Sequence, residues 1–356
     1  RHFVACEDGP SPILIKASGK TLHSCRRGQR HVTDVAATHG HIGTVGCVRA
    51  HPVEASAFAT GSADGTVRAW SIDAMERGSD YAAKHGSGAV TESVKVHDCL
   101  WCTPPSAQRA LLASAGSDGL VQLWATNRPF VPNGAALTLK CGAGDGSGPV
   151  SLDTWASATS TATAVLSATV VPWQPHHLAV RMADATLRFF DIRVGGSAEV
   201  EPRISGLPPV GESAPLVAAN PIALSSPCLY AFASGAAPLS GLGVPATASA
   251  SKAGYAVVVG KTYKPVSAHL IVADDGMITC ATAHDATQQL VVGDHRGNTY
   301  AALYPTATNI AGTNGNGAAD TSWATLLRRA ASGDGKAAKD DGDDGSGDDA
   351  GLPDFL

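Results

Sequence analysis

The stretch FATGSADGTVRAW, residues 58–70, has a close copy in LLASAGSDGLVQLW, residues 111–124. Each reads as two strand-like halves around an Asp-Gly turn. In both, a hydroxyl residue stands four before the aspartate and a tryptophan six after it: Thr60, Asp64 and Trp70 in one, Ser114, Asp118 and Trp124 in the other. Two triplets at one spacing are hard to obtain by chance. A repeated unit of this kind cannot bury its apolar face alone, so it has to stack against its neighbours.

A weaker copy is HLAVRMADATLRFFD, residues 177–191, with Asp184 in the turn, Phe190 in the tryptophan slot and Val180 in place of the hydroxyl. QLVVGDHRGNTYAALY, residues 289–304, keeps only the hairpin pattern. A short apolar strand precedes each copy, ending near a proline in the first three. PCLYAFASG and GYAVVVGKTYKPV supply one more unit around a Pro/Ala/Ser run. Strand, hairpin and fourth strand give a period of ~40–45 residues, that of a WD-repeat blade.

The expected fold is therefore all-β, a WD-repeat β-propeller over residues 1–308. Five complete blades are expected, plus the last three strands of another in HFVAC, SPILIKAS and KTLHSC. With Arg1 where methionine would open a chain, we expect part of a seven-bladed ring lacking its first blade. Residues 141–149, CGAGDGSGP, read as a flexible insertion. Residues 309–356 are Gly/Ala/Asp-rich and read as a disordered acidic tail, with at most a short helix around residues 323–330.

The formal charge of −5 rests partly on the aspartates near the end. The remainder is near neutral, and direct nucleic-acid binding is not expected. Eight scattered cysteines with no signal peptide before them point to a reducing compartment. No apolar run approaches ~18 residues, so no membrane span is expected.

Gly40-His41 precedes the best copy and completes a set of His41, Thr60, Asp64 and Trp70. In WD-repeat blades such residues form a buried polar network that fixes register. The competing reading, a hydroxyl-His-Asp catalytic triad, lacks a strained elbow or oxyanion donors around a mid-strand hydroxyl. In the second copy His97 is the nearest candidate imidazole, but it heads a strand and follows no glycine. A complete second network is therefore not expected.

Cys99 and Cys102 form a C-x-x-C pair, yet a strand places them on opposite faces and two further zinc ligands are missing. His176 and His177 follow a proline and read as an exposed turn. No metal or cofactor is expected, and no phosphate-binding or nucleophile motif is present. FFDIR, residues 189–193, resembles the W-D-x-R ending of cullin-4 ligase substrate receptors, which makes Phe190, Asp191 and Arg193 candidate adaptor contacts; the competing and favoured reading is a strand-end Asp-Arg pair with purely local bonds.

The wording between repeats is narrower. GQRHVTDVAATHGH (residues 28–41), AHP (residues 50–52), LRFFDIR, SGLPP (residues 205–209) and QQLVVGDHRGNTYAALYPT are collinear with, and resemble, the WD repeat-containing protein 70 (gastrulation-defective) family. The resemblance implies a non-enzymatic nuclear scaffold associated with spliceosomal complexes and with cullin-4-dependent chromatin ubiquitination after DNA damage. Its expected partners are other proteins, met on the propeller faces. The sequence departs from the family in Phe190, in the long insertions and in the acidic tail.

Overall fold

Short runs of alternating apolar residues broken by glycine turns give six antiparallel sheets in the computed structural model. It describes residues 2–6, 9–16, 18–85, 94–102, 111–126, 134–142, 164–194, 199–200, 203–205, 207, 215–219, 227–234, 254–272, 277–286 and 288–303. The insertion expected at residues 141–149 starts later than the sequence suggests: Cys141 is fully buried and its N–H and that of Gly142 both donate to the Gly119 carbonyl at 2.9 Å, while residues 143–149, the run at residues 235–253 and the tail lie outside the described residues.

The first sheet holds β1 (His2–Ala5), β2 (Ile13–Lys16) and β3 (Thr21–Ser24). The second holds β4 (Val45–Ala50), β5 (Ala57–Ser62), β6 (Thr66–Ser71) and β7 (Tyr81–Lys84). The third holds β8 (Val96–Cys102), β9 (Leu111–Gly116), β10 (Leu120–Trp124) and β11 (Leu137–Lys140). Then come β12 (Val165–Val171), β13 (Gln174–Met182) and β14 (Leu187–Asp191), followed by β15 (Leu216–Ala219), β16 (Cys228–Ser234), β17 (Gly254–Val259) and β18 (Pro265–Val272). The last sheet is β19 (Ile278–His284), β20 (Gln289–Asp294) and β21 (Thr299–Leu303). In each, strands pair in chain order, as the hairpin pattern requires.

Five complete blades were expected from the sequence. Among the described residues the second, third and fifth sheets have four strands. The fourth and the last have three, so two of the five expected blades lack a fourth strand there; among the described residues the outer edge of the fourth is met by isolated bridges from Glu199 to Phe190 and from Ile204 to Leu187.

Because side chains alternate along a strand, each sheet has two apolar faces to cover. Five buried clusters do this, one between each consecutive pair of sheets. Leu178, Val180 and Met182 of β13 face the third sheet, while Ala179 between them faces the fifth. Gly61 marks how close the sheets come: a Cβ there would lie 2.6 Å from Val96 Cγ1 and 2.7 Å from Cys47 Sγ.

The first strands β4, β8, β12, β15 and β19 pack one against the next. β4, β8, β12 and β19 share a feature the sequence did not display, a register shift just after the first residue. Such bulges add local twist. Three of these strands are also tied by one carboxylate. Buried Asp98 of β8 accepts Arg49 Nη2 of β4 at 2.8 Å, the Cys99 N–H at 2.9 Å and the Ala168 N–H of β12 at 3.2 Å. Burial raises the Asp98 carboxyl above its ordinary value in spite of the Arg49 charge beside it.

Asp98→Ala is expected to lower stability by about 1–3 kcal/mol, since it takes the acceptor from the buried N–H groups of Cys99 and Ala168 and from the Arg49 guanidinium. Arg49→Ala, at a half-exposed side chain, should cost less. Urea denaturation of the two variants at constant m measures both.

Candidate functional site

In the first repeat the four residues that spacing singles out meet at one point. The Trp70 indole N–H donates to Thr60 Oγ1 at 2.8 Å, and Thr60 Oγ1 stands 2.8 Å from His41 Nε2. Because the Asp64 carboxylate that faces Nδ1 can only accept, the ring proton sits on Nδ1, and the Thr60 hydroxyl gives its own proton to Nε2. Nδ1 faces Asp64 Oδ2 at 3.2 Å and Thr66 Oγ1 at 3.0 Å. Asp64 also accepts the Ile42 N–H at 2.8 Å and the Thr66 N–H at 2.9 Å. Gly65, at φ 79°, turns the chain between the two halves.

His41 and Thr60 are both 0% exposed. Burial holds the imidazole below its ordinary range although Asp64 pulls the other way. Burial alone would raise the Asp64 carboxyl, but the bonds from His41, Thr66 and Ile42 outweigh it and hold it well below the usual carboxylate range. Hydroxyl, imidazole and carboxylate stand in the order of a catalytic triad. The outer side of the hydroxyl, where a substrate carbonyl would have to sit, is filled by the Trp70 indole.

The second repeat holds the same arrangement, contrary to the sequence expectation. Its imidazole is His85, not His97. Nδ1 stands 2.7 Å from Ser114 Oγ, Nε2 stands 3.0 Å from Asp118 Oδ1, and Trp124 Nε1 donates to Ser114 Oγ at 2.9 Å. His85 precedes Ser114 by 29 residues, where His41 precedes Thr60 by 19. Spacing alone therefore misplaced it; the adjoining Gly86, which reverses the Gly-His order, was the available signal. The ring is also reversed: here Nδ1 faces the hydroxyl and Nε2 the carboxylate.

The decayed repeats lose their partners in matched sets. Val180 and Phe190 remove hydroxyl and indole N–H together, so neither is left unpaired. Among the described residues no imidazole meets Asp184; Arg188 Nη2 takes that place at 2.6 Å, while its Nη1 reaches the Cys141 carbonyl at 2.8 Å. In β20 the carboxylate has moved to Asp294, which accepts the Arg296 and Asn298 N–H groups and the Tyr300 hydroxyl.

Phe190 is 1% exposed in the core between the third and fourth sheets, so its ring does not reach a partner as the sequence reading allowed. Arg193 does reach the surface, at 61% side-chain exposure. Its Nε and Nη2 grip Asp191 at 3.0 and 2.6 Å. That pairing holds the Asp191 carboxyl down to about 2. Exposed Val194 follows directly.

His176 and His177 lie inside β13 and not in an exposed turn. The turn is the shorter Pro172-Trp173 pair, and Tyr263 of the next sheet covers His177, its hydroxyl 2.6 Å from Nδ1. Cys99 and Cys102 occupy opposite faces of β8, in two different clusters. Cys99 Sγ is 3.4 Å from Cys47 Sγ. That contact and burial push the Cys99 thiol well above its ordinary value, and burial pushes Cys102 up to about 12. Among the described residues no three His, Cys, Asp or Glu are placed to hold a metal.

Thr60→Val should lower stability by about 1–3 kcal/mol, because it strands both the indole N–H and an imidazole nitrogen; the urea midpoint reads it. Acid should act on the same network. His41 is depressed from 6.5 and Asp64 from 3.8. Their contribution is full above about pH 6.5 and falls with pH, first as the unfolded chain takes up the histidine proton and then the aspartate proton. The wild-type midpoint should therefore drop between pH 7 and 5, and that of His41→Asn should drop less.

A family model for the WD domain, G-beta repeat, matches residues 31–71, the stretch that supplies His41, Thr60, Asp64 and Trp70. A search of curated proteins found no match. Among solved structures 1172 chains match, so the likeness marks a widespread fold. One belongs to the "Crystal Structure of Mitotic Checkpoint Complex", with 15% identity and a TM-score of 0.52 over 85% of this chain and 72% of that one. At that identity the likeness speaks for the fold alone. The chain is an all-β propeller carrying a WD40 repeat.

Proposed function

We propose that this chain is a nuclear scaffold that assembles other proteins on its propeller faces, in spliceosomal or chromatin and DNA-damage complexes. The observation that carries the scaffold reading is the burial of every member of the best hydroxyl-imidazole-carboxylate set. His41 and Thr60 are 0% exposed and their hydrogen-bonding capacity is consumed within the blade. What the ring offers to solvent is its loops, and WD40 propellers typically act as interaction scaffolds without catalysis. The matched mitotic checkpoint structure is itself a complex. The nuclear setting rests on the family-like wording between repeats, above all GQRHVTDVAATHGH.

A second reading, substrate receptor of a cullin-4 ubiquitin ligase, is favoured by one geometric detail. Arg193 stands at the end of β14, held in place by Asp191 yet largely exposed, with the exposed Val194 beside it. A pre-positioned guanidinium loses less freedom on binding than a free one.

Size-exclusion chromatography with the purified cullin-4 adaptor separates the readings. Under the receptor reading the wild type co-elutes and Arg193→Ala weakens binding at least tenfold; absence of wild-type binding removes that reading. The scaffold proposal predicts nuclear retention of a fluorescent fusion and spliceosomal or chromatin proteins among its proximity-labelled neighbours. A cytoplasmic fusion with neither would refute it.

A further inference from the structure

The loop between the first and second sheets is built to hold its shape. Gly28 and Gly40 cross so closely that a Cβ on Gly40 would lie 1.7 Å from the Arg26 carbonyl oxygen, and one on Gly28 2.2 Å from that of Gly40. The Gly28 N–H donates to the His41 carbonyl at 2.9 Å, and the His39 N–H to Gln29 Oε1 at 3.1 Å. A 3-10 turn at Val35–Ala37 is capped by Asp34, which accepts the Ala36 N–H at 3.0 Å. From below, the fully buried Arg68 guanidinium donates to the carbonyls of Val35 and Thr38 at 2.7 and 2.8 Å.

This loop displays Arg26, Arg27, Arg30, His31 and His39, all exposed. Its one acid, Asp34, caps the 3-10 turn through Oδ1 and keeps its charge, so three arginines stand against one carboxylate in the loop. Arg26 Nη1 reaches only the Arg77 carbonyl at 3.3 Å, and among the described residues Arg27 and Arg30 take part in no ion pair. A rigid platform carrying three exposed guanidinium groups against one carboxylate is a site for a multiply anionic partner.

The chain supplies such a partner itself. Residues 304–356 carry nine Asp against four Lys and Arg, which accounts for the whole formal charge of −5; residues 1–303 balance. Six of those aspartates fall within residues 340–349, DDGDDGSGDD. The 36 residues from 304 to 339 can reach as far as about 120 Å. A body of this length has a radius of gyration of only about 19 Å.

We propose that the acidic block at residues 340–349 docks in the same chain on the basic loop at residues 26–39 and masks it from other anionic partners. Each guanidinium–carboxylate pair is exposed and individually weak. Together, on one tether, they act at a high effective concentration, and salt loosens them.

The test uses three full-length proteins: wild type, a tail-neutral form with the six aspartates of residues 340–349 changed to Asn, and the tail-neutral form with Arg27→Gln and Arg30→Gln. The probe is a fluorescein-labelled peptide copying residues 339–350, followed by anisotropy in 50 mM NaCl. The tail-neutral protein should bind the peptide at least tenfold tighter than wild type. The two Arg substitutions should cost at least fivefold of that binding, and 0.5 M NaCl should abolish it. Because neither arginine side chain bonds to another group among the described residues, an unchanged melting temperature shows that the loss is local. Equal binding by wild type and tail-neutral protein, or binding indifferent to Arg27 and Arg30, overturns the proposal. So does a single-stranded RNA oligonucleotide that binds the loop equally well in both, since the site would then serve nucleic acid unopposed by the tail.

Discussion

A buried imidazole has one nitrogen that must receive a proton and one that must give one away, and two blades of this propeller are arranged around that requirement. Indole, hydroxyl, imidazole and carboxylate form a directed chain from Trp70 to Asp64, and again from Trp124 to Asp118. Each link leaves no spare donor in the interior, where an unmet polar group costs about 1–3 kcal/mol. The chain spans the loop before a blade, its second and third strands and the turn between them, so satisfying it fixes their register. The third copy shows the same rule by exception. Val180 and Phe190 have lost hydroxyl and indole together, and Arg188 replaces the imidazole at the aspartate.

Between blades the holding forces are different. Five apolar clusters zip consecutive sheets, and Asp98 ties three inner strands through Arg49 and the Ala168 N–H. Polar chains within blades set geometry, and apolar faces between them supply most of the burial. Surface chemistry is thereby left to the loops, where the basic segment of residues 26–39 and the Arg193 turn both lie.

The hairpins at residues 58–70 and 111–124 were legible because an Asp-Gly turn with positive φ at Gly65 and Gly119 leaves a local signature. The third turn keeps the geometry with Ala185 at φ 68°, where composition gave a weaker sign. His85 was missed because loops ahead of a blade vary in length while strand spacing does not. The burial of His177 depends on Tyr263, 86 residues further on, which local reading does not reach. Arg26, Arg27 and Arg30 vanished into a near-neutral average, since net charge carries no information on where charges cluster.

Because the two networks orient their imidazoles in opposite senses, one measurement tests the account of them most directly. Long-range proton–nitrogen correlation spectra of a nitrogen-15-labelled sample at pH 7.5 identify which ring nitrogen is protonated in each histidine. The account predicts the Nδ1–H tautomer for His41 and the Nε2–H tautomer for His85, each unchanged by moderate dilution or added partner. A doubly protonated His41, or rapid averaging between its two tautomers, would contradict a buried and fully satisfied structural chain.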